Sequence, residues 1–294
     1  MNSFSIPLPK EFNFEHHLTH LKRSPKELLH TCVEDEVFKL IAINDNKILF
    51  KIKCIDKSHL LITILNKKIN ESTKSELEKY ILEWFDLDKD IRPFYTLAAK
   101  DKFLKPVIQK FYGYRIVGQP DLFESLVWAV IGQQINLSFA YTMKQRLVEG
   151  FGERLEFKEK IYYMFPKPER IASVTHDDLL PLQFSRQKSK YAIGIAEAFV
   201  SGQISKDKIN DLPWDEALNE LIKIKGVGQW TANYALLRTF RYPNAFPLGD
   251  AGINNAIKKI LNLDRRPTTE EVIKYFKKYK GWEAYATLYL WKMI

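Results

Sequence analysis

The sequence is poor in cysteine and contains no long apolar run. Its 294 residues include two cysteines, Cys32 and Cys54, which do not form a Cys-x-x-Cys motif. Two thiols cannot supply a four-cysteine zinc site or an iron–sulfur cluster, which needs four thiolates. So few cysteines favour a reducing, intracellular compartment. No segment is long and apolar enough to span a membrane, and the start of the chain lacks the features of a signal peptide.

Acidic residues are outnumbered by basic ones. The chain has 45 Lys and Arg against 36 Asp and Glu, a formal net charge of +9. A surplus of positive charge favours a polyanionic partner such as a nucleic acid. Hydrophobic residues make up 46% of the chain, which is enough for a substantial core. The length suits two domains, or one large domain with an appended sheet.

The first third of the chain has the pattern of a sheet. Three segments are rich in β-branched and aromatic residues, and the turn-forming runs Asn44–Asn46 and Asp56–Ser58 separate them. These segments are residues 37–43, 48–54 and 60–65. They predict an antiparallel meander, followed by a helix over residues 71–85.

From Trp84 onward the apolar residues repeat with a helical period. The predicted fold is therefore mainly α with an N-terminal antiparallel β-sheet domain, an α+β class. We place the sheet domain at residues 1–105 and the helical body at residues 106–294. Within that body, Asp121 to Glu124 has the form of a capping box that opens a helix ending at Gly132.

Two helical stripes flank a turn that contains Gly226 and Gly228. The first stripe runs from Trp214 to Ile224, and the second from Ala232 to Phe240. We expect both glycines to adopt backbone angles that other residues avoid. Such a turn would present N–H groups at the start of the second helix, where the helix dipole favours an anion such as phosphate. For these glycines alone, an ordinary helix–helix corner remains the simpler explanation.

A single acid lies in a basic segment. Residues 221–260 hold six Lys and Arg side chains but only one carboxylate, Asp250. One explanation is that Asp250 caps the helix predicted just after it, where apolar residues recur with a helical period. The other is a chemical task. The residues alone leave both explanations open.

Two amides, Gln133 and Gln134, follow the predicted helix end at Gly132. Amide side chains displayed at a helix break can hydrogen-bond base edges or phosphates. They can equally cap the local backbone, and the pattern does not distinguish the two.

Several separated motifs together resemble one family. Leu221-x-x-Ile-Lys-Gly-Val-Gly-x-Trp-Thr-Ala232 is followed by Pro247-x-x-Asp250, and further segments agree with the same pattern. These segments are Phe123-Glu-x-x-Val127, Ile131-Gly-Gln-Gln134, Phe165-Pro-x-Pro168, Trp282-x-x-Tyr285-Ala and Trp291. The set resembles the helix-hairpin-helix (HhH-GPD) DNA glycosylase superfamily, and within it the DNA-3-methyladenine glycosylase II branch. The resemblance covers about residues 84–294 and extends more faintly over the N-terminal part of the chain.

The resemblance implies roles for individual residues. It makes Asp250 the catalytic carboxylate, and it implies an aromatic base pocket of Trp230, Tyr234 and Trp291. It places five residues at the DNA: Gln133, Gln134, Lys225, Gly226 and Gly228. It also implies that backbone carbonyls can hold a monovalent cation, Na⁺ or K⁺, and by position these are Ile222, Ile224 and Val227. We expect no required cofactor and no iron–sulfur cluster.

Trp230 decides the expected subclass. Members of the family that also cleave the strand place a Lys at this position, and its amine forms a Schiff base with the sugar. The resemblance therefore implies a monofunctional glycosylase that removes alkylated purines from double-stranded DNA, and we expect a monomer. Two alternatives remain: a glycosylase for oxidised or deaminated purines on the same scaffold, and a non-catalytic DNA-binding protein.

Overall fold

A five-stranded antiparallel sheet forms the N-terminal part of the computed structural model, which describes residues 2–294. The strand order is β1-β5-β4-β3-β2. Asn44 and Asp45, with φ of +47° and +61°, form the two-residue turn between β3 and β4, as expected of residues that tolerate the left-handed region. The strands are β1 (Ser3–Pro7), β2 (Thr31–Val33), β3 (Glu36–Ile43), β4 (Asn46–Ile55) and β5 (His59–Ile64).

The predicted meander is confirmed, but the sheet is wider than the sequence indicated. The two edge strands, β1 and β2, were not predicted. In β1 only Ile6 is buried, and β2 has three residues, so neither shows a clear alternation. A separate hairpin of β6 (Arg154–Phe157) and β7 (Lys160–Tyr163) was also missed.

The other regular elements of the described chain are helices. A π-helical segment, Leu236–Phe240, continues α12 without a break, and short 3-10 turns occupy Leu180–Leu182, Lys277–Tyr279 and Trp291–Met293. No helix among residues 2–294 is both long and apolar enough to cross a bilayer. The helices are α1 (Phe14–Leu21), α2 (Glu71–Phe85), α3 (Arg92–Ala98), α4 (Leu104–Lys110), α5 (Leu122–Gly132), α6 (Leu137–Phe151), α7 (Pro168–Ala172), α8 (His176–Leu179), α9 (Arg186–Val200), α10 (Lys206–Asn210), α11 (Trp214–Ile222), α12 (Gln229–Ala235), α13 (Ala251–Ile260), α14 (Thr269–Phe276) and α15 (Glu283–Leu290).

Helix α5 lies at the centre of the helical body. Nine of its eleven residues are buried, and it packs against α9 and α12. One continuous apolar core runs from Ile6 in the sheet to Leu290 in α15. Because the core is continuous, the division at residues 105 and 106 stays a prediction.

The start of α5 follows the predicted cap only in part. The Asp121 side chain accepts hydrogen bonds from the amides of Phe123 and Glu124, at 2.8 and 3.2 Å. The expected return bond from Glu124 is wrong, because that carboxylate binds Lys144 Nζ at 3.0 Å instead. A buried ammonium group is a stronger partner than an exposed cap amide. The cap nevertheless fixes where α5 begins. The other end of this helix reaches the candidate site.

Candidate active site

The two expected glycines play different roles in the turn between α11 and α12. Gly226 has φ +94°, and a Cβ there would lie 2.4 Å from the ring of Tyr191. Glycine is therefore required at this position for its backbone angle and for the close approach. Gly228 has φ −87° and ψ 176°, which any residue adopts. The expected unusual backbone at Gly228 is therefore wrong.

Gly228 instead leaves open the approach to α12. It precedes the first turn of the helix, and a Cβ there would meet no atom within 4 Å. The first amides of a helix have no intrahelical partner. Gly228 is exposed, and so is the neighbouring Lys225. The backbone here is accessible to an anion, and one cationic side chain lies close to it in the chain.

Asp250 is the N-cap of α13. Its Oδ1 accepts hydrogen bonds from the Ile253 amide at 3.0 Å and from Trp291 Nε1 at 2.8 Å. Its Oδ2 has a longer contact with Trp230 Nε1, at 3.3 Å. The capping explanation is confirmed, but the cap uses one carboxylate oxygen. The second oxygen is held only by the long indole contact.

A cleft of about 680 Å³ opens beside this carboxylate. Helix α12 contributes Trp230 and Tyr234, whose rings stack with centroids 5.5 Å apart and planes inclined by 27°. The end of α5 and the following loop contribute Gln133 and Gln134 on the other side. Five of the predicted site residues therefore line one cavity, together with apolar side chains from the start of α6.

Trp291 does not line the cleft. The sequence predicted it as part of the aromatic pocket, whereas its indole N–H donates to Asp250 Oδ1. Trp291 begins the 3-10 turn after α15, so the segment that follows this helix reaches the carboxylate. This contact orients Asp250.

The two glutamines differ in how firmly they are held. Gln133 Nε2 donates to Thr231 Oγ1 at 3.2 Å, which ties the loop to α12. Gln134 is exposed and has φ +57°, in the left-handed region that a side-chain-bearing residue rarely occupies. Backbone strain of this kind often occurs at binding sites. Of the two amides, only that of Gln134 is free to contact a bound ligand.

The predicted cation ligands lie at the end of α11 and in the turn. The Ile224 carbonyl accepts the Val227 amide at 3.0 Å, and one of its lone pairs remains for another partner. Ile222 lies in the last turn of α11. Carbonyl oxygens are suitable ligands for a hard monovalent cation. Within residues 2–294, no group of three or more His, Cys, Asp or Glu side chains is positioned to hold a metal ion.

Comparison with known proteins shows which family this chain belongs to. The model for "HhH-GPD superfamily base excision DNA repair protein" matches residues 127–281, and that for "8-oxoguanine DNA glycosylase, N-terminal domain" matches residues 12–126. The DNA-3-methyladenine glycosylase of Bacillus subtilis is 42% identical, over 98% of this chain and 96% of that protein. The chain belongs to the HhH-GPD superfamily.

Solved structures share the fold of this HhH-GPD protein. A 3-methyladenine DNA-glycosylase from Archaeoglobus fulgidus superposes with a TM-score of 0.84 and 19% identity, over 98% of this chain and 97% of that one. An 8-oxoguanine glycosylase/lyase from Clostridium acetobutylicum, solved with DNA, gives a TM-score of 0.78 and 21% identity, over 99% and 94%. At such identities the likeness shows the fold alone.

Three residues support the HhH-GPD site but could not be found from the sequence. Trp128 lines the cleft and donates from Nε1 to Tyr234 OH at 2.9 Å. The buried Asn233 accepts the Phe246 amide at 3.0 Å, which joins α12 to the loop carrying Asp250. Gly252 has no room for a Cβ, which would lie 2.7 Å from Trp291 Cδ1. In the sequence each looks like an ordinary core or helix residue, because only tertiary contacts give it a role.

Proposed function

We propose that this chain is a monofunctional DNA glycosylase that hydrolyses the N-glycosidic bond of alkylated purines, of the 3-methyladenine and 7-methylguanine type, in base excision repair. The observation that carries the proposal is the placement of Asp250, which lines a cleft walled by the stacked rings of Trp230 and Tyr234 and whose Oδ2 has only the long contact with Trp230. The identity to a protein named DNA-3-methyladenine glycosylase supports the same substrate class.

The substrate is double-stranded DNA, and the damaged nucleotide turns out of the duplex to enter the cleft. A base inside a duplex is inaccessible, and turning it out costs a few kcal/mol. The exposed Gln134 fills the gap that the nucleotide leaves. The hairpin at Gly226 and Gly228, with Lys225, binds the backbone phosphate and offsets part of this cost. The enzyme acts as a monomer on DNA inside the cell.

Asp250 stabilises the reacting sugar. As the bond between sugar and base breaks, its electron pair leaves with the base and positive charge develops on the sugar. A fixed carboxylate beside that charge lowers the barrier. Water then attacks the sugar carbon, and its proton passes to Asp250. The products are the free base and an abasic site.

No second carboxylate is needed for a cationic leaving base. An alkylated purine such as 7-methylguanine carries a positive charge within DNA, so it departs neutral without being protonated. The stacked Trp230 and Tyr234 favour such a base by cation–π attraction, worth about 0.5–2 kcal/mol per contact. Selectivity then arises partly in the pocket and partly from the weakness of the damaged bond.

The absence of strand cleavage follows from Trp230. Its indole occupies the position at which lyase members carry an amine, and an indole cannot form a Schiff base. Lys225 lies on the other side of the hairpin and is exposed. After reaction with wild-type protein, we expect the DNA strand to remain intact until alkali is added.

A monovalent cation completes the hairpin in this proposal. Ile222, Ile224 and Val227 would hold it through backbone carbonyls, which fits the donor chemistry of this turn. Such an ion would supply positive charge next to the bound phosphate. No other cofactor is proposed.

The test is release of free base from duplex DNA that carries N3- or N7-methylated purines. Wild-type protein releases the base, and Asp250→Asn loses release while still binding the duplex. Asp264→Asn is the matched control, because Asp264 is an exposed acid outside the cleft. If Asp250→Asn released base at the wild-type rate, the role of Asp250 would be excluded.

Oxidised or deaminated purines are the second candidate substrates. The match of residues 12–126 to the N-terminal domain of 8-oxoguanine DNA glycosylase favours them. The same assay with 8-oxoguanine and hypoxanthine in the duplex distinguishes the two classes. Duplex binding with release of none of these bases would indicate a non-catalytic DNA-binding protein.

A further inference from the structure

A small polar chamber lies behind the cleft, between the N-terminal segment of residues 20–30 and the helical body. Its volume is about 50 Å³, and Trp128 forms a wall of both the chamber and the cleft. Four cationic side chains line the chamber but only two carboxylates do, so the lining carries a surplus of positive charge. The cations are Arg23, Lys39, Lys144 and Arg238, and the acids are Glu27 and Glu124.

Both carboxylates form ion pairs with the same cation. Lys144 Nζ lies 3.1 Å from Glu27 and 3.0 Å from Glu124, and all three side chains are nearly buried. Burial opposes ionisation of Glu27, but the charge of Lys144 prevails and holds the pKa of that carboxyl at about 2. Lys39 donates to the Leu29 carbonyl at 2.9 Å. The two arginines therefore have no acid as a partner in this lining.

Arg238 is the decisive residue. It is 4% exposed, its Nε is buried without a hydrogen-bond partner, and no ion pair to its side chain exists within residues 2–294. It lies in the π-helical segment, four residues beyond Tyr234 and eight beyond Trp230, so it continues the stripe of the cleft inward. A buried, unpaired guanidinium is strongly unfavourable.

Arg23 faces the same space from the N-terminal segment. Its Nε donates to Tyr141 OH, and its guanidinium carbon lies 5.4 Å from the centroid of that ring. Its two terminal nitrogens have no partner in the described chain. Burial first, and then the charges of Arg23 and Arg238, hold the pKa of His20 well below its ordinary value. Both arginines are therefore near one histidine, which is neutral and adds no compensating charge.

We propose that the chamber binds a small inorganic anion of the size of chloride between Arg238 and Arg23. A volume of about 50 Å³ accommodates about three water-sized occupants. Water alone would satisfy the donors but leave the surplus positive charge uncompensated. Gln119 Oε1 is a buried acceptor without a partner, and an anion cannot donate a hydrogen bond to it. In the proposal, one water therefore lies beside the anion and donates to Gln119 Oε1. The anion then joins the N-terminal segment to the helix that carries Trp230 and Tyr234.

Crystals grown or soaked in sodium bromide test this directly. The anomalous signal of bromide is expected inside the chamber of the wild-type protein, and it is expected to be absent in Arg238→Met. Because Arg238 is buried and its loss could unfold the chain, Arg23→Met is the second variant. Arg23 is exposed, and we expect this variant to keep the fold and to weaken the bromide peak.

Thermal unfolding gives an independent readout. At equal ionic strength, we expect the wild-type Tm to be about 2–4 °C higher in sodium chloride than in sodium gluconate, whose anion is too large for the chamber. Arg238→Met should lose this difference, and the exposed Arg154→Met should keep it. A wild-type map without bromide in the chamber overturns the proposal. So does a salt difference that persists in Arg238→Met.

Discussion

Gly252 controls how closely Trp291 approaches the carboxylate of Asp250. It is the second residue of α13, directly under the indole. A Cβ added there would lie 2.7 Å from Trp291 Cδ1, 2.9 Å from Trp291 Nε1 and 3.1 Å from Asp250 Oδ1. Ordinary contact needs at least about 3.5 Å. In Gly252→Ala the indole must therefore move by several tenths of an ångström or more.

This movement acts on both the position of Asp250 and the stability of the chain. Overpacking a tight contact costs typically about 1–3 kcal/mol, and the hydrogen bond from Trp291 Nε1, now 2.8 Å, would lengthen or break. Displacing a reacting group by about 1 Å can lower a rate about 100-fold. We therefore expect Gly252→Ala to reduce kcat for base release by about 10- to 100-fold, while KM changes little because the cleft wall is untouched.

The assay is steady-state release of methylated purine, which gives kcat and KM, run beside a denaturant unfolding curve. Gly150→Ala in α6 is the matched control, since a Cβ there meets nothing within 4 Å. Trp291→Phe separates the two effects, because it removes the indole donor without adding a clash. Wild-type kcat in Gly252→Ala, at a temperature where the variant is folded, would refute the view that this contact sets the position of Asp250.

Three further predictions concern the hairpin and the N-terminal segment. Gly226→Ala should destabilise the protein by about 1–3 kcal/mol in urea unfolding, because of its positive φ and the ring of Tyr191. Gly228→Ala should leave stability unchanged but weaken DNA binding about tenfold in a titration, since a Cβ blocks the phosphate approach; unchanged affinity would count against the phosphate grip. His17 is fully buried, and burial holds its pKa at about 3. Its folded pKa is depressed, so the stability that His17 contributes should be lost as the pH drops below about 6.5, by about 2 kcal/mol at pH 5. The variant His17→Gln should lose about that much less stability between pH 7 and pH 5 than the wild type, and an unchanged profile would exclude His17 as a source.

The hairpin and the cap were predictable because each depends on neighbours in the chain. Helical periodicity located α11 and α12, and the apolar stripe of α13 marked Asp250 as a candidate cap. The angle at Gly226 also followed from residue type. Gly228 shows the limit of this reasoning, because in our proposal glycine is needed there for the phosphate that approaches it from outside. That requirement leaves no mark on φ and ψ.

The supporting residues were not predictable because their roles depend on partners far away in sequence. Trp128 meets Tyr234 across 106 residues, and Trp291 reaches Asp250 across 41. In a single sequence, Trp128 is one more apolar residue of a buried helix, and Gly252 is a weak helix former near a helix start. The edge strands of the sheet were missed for a different reason, since too few of their side chains are buried to produce a period of two.

The role that we propose for Asp250 does not compete with its role as a helix cap. A carboxylate that stabilises a developing cation must be fixed before the reaction, because reorienting it during the reaction would cost part of the gain. The two donors on Oδ1, the Ile253 amide and the Trp291 indole, remove the rotational freedom of the group. Oδ2 keeps only a 3.3 Å contact with Trp230 and therefore retains capacity for a new partner. In the proposed mechanism, the capping bond therefore fixes the Asp250 carboxylate beside the cleft before the reaction begins.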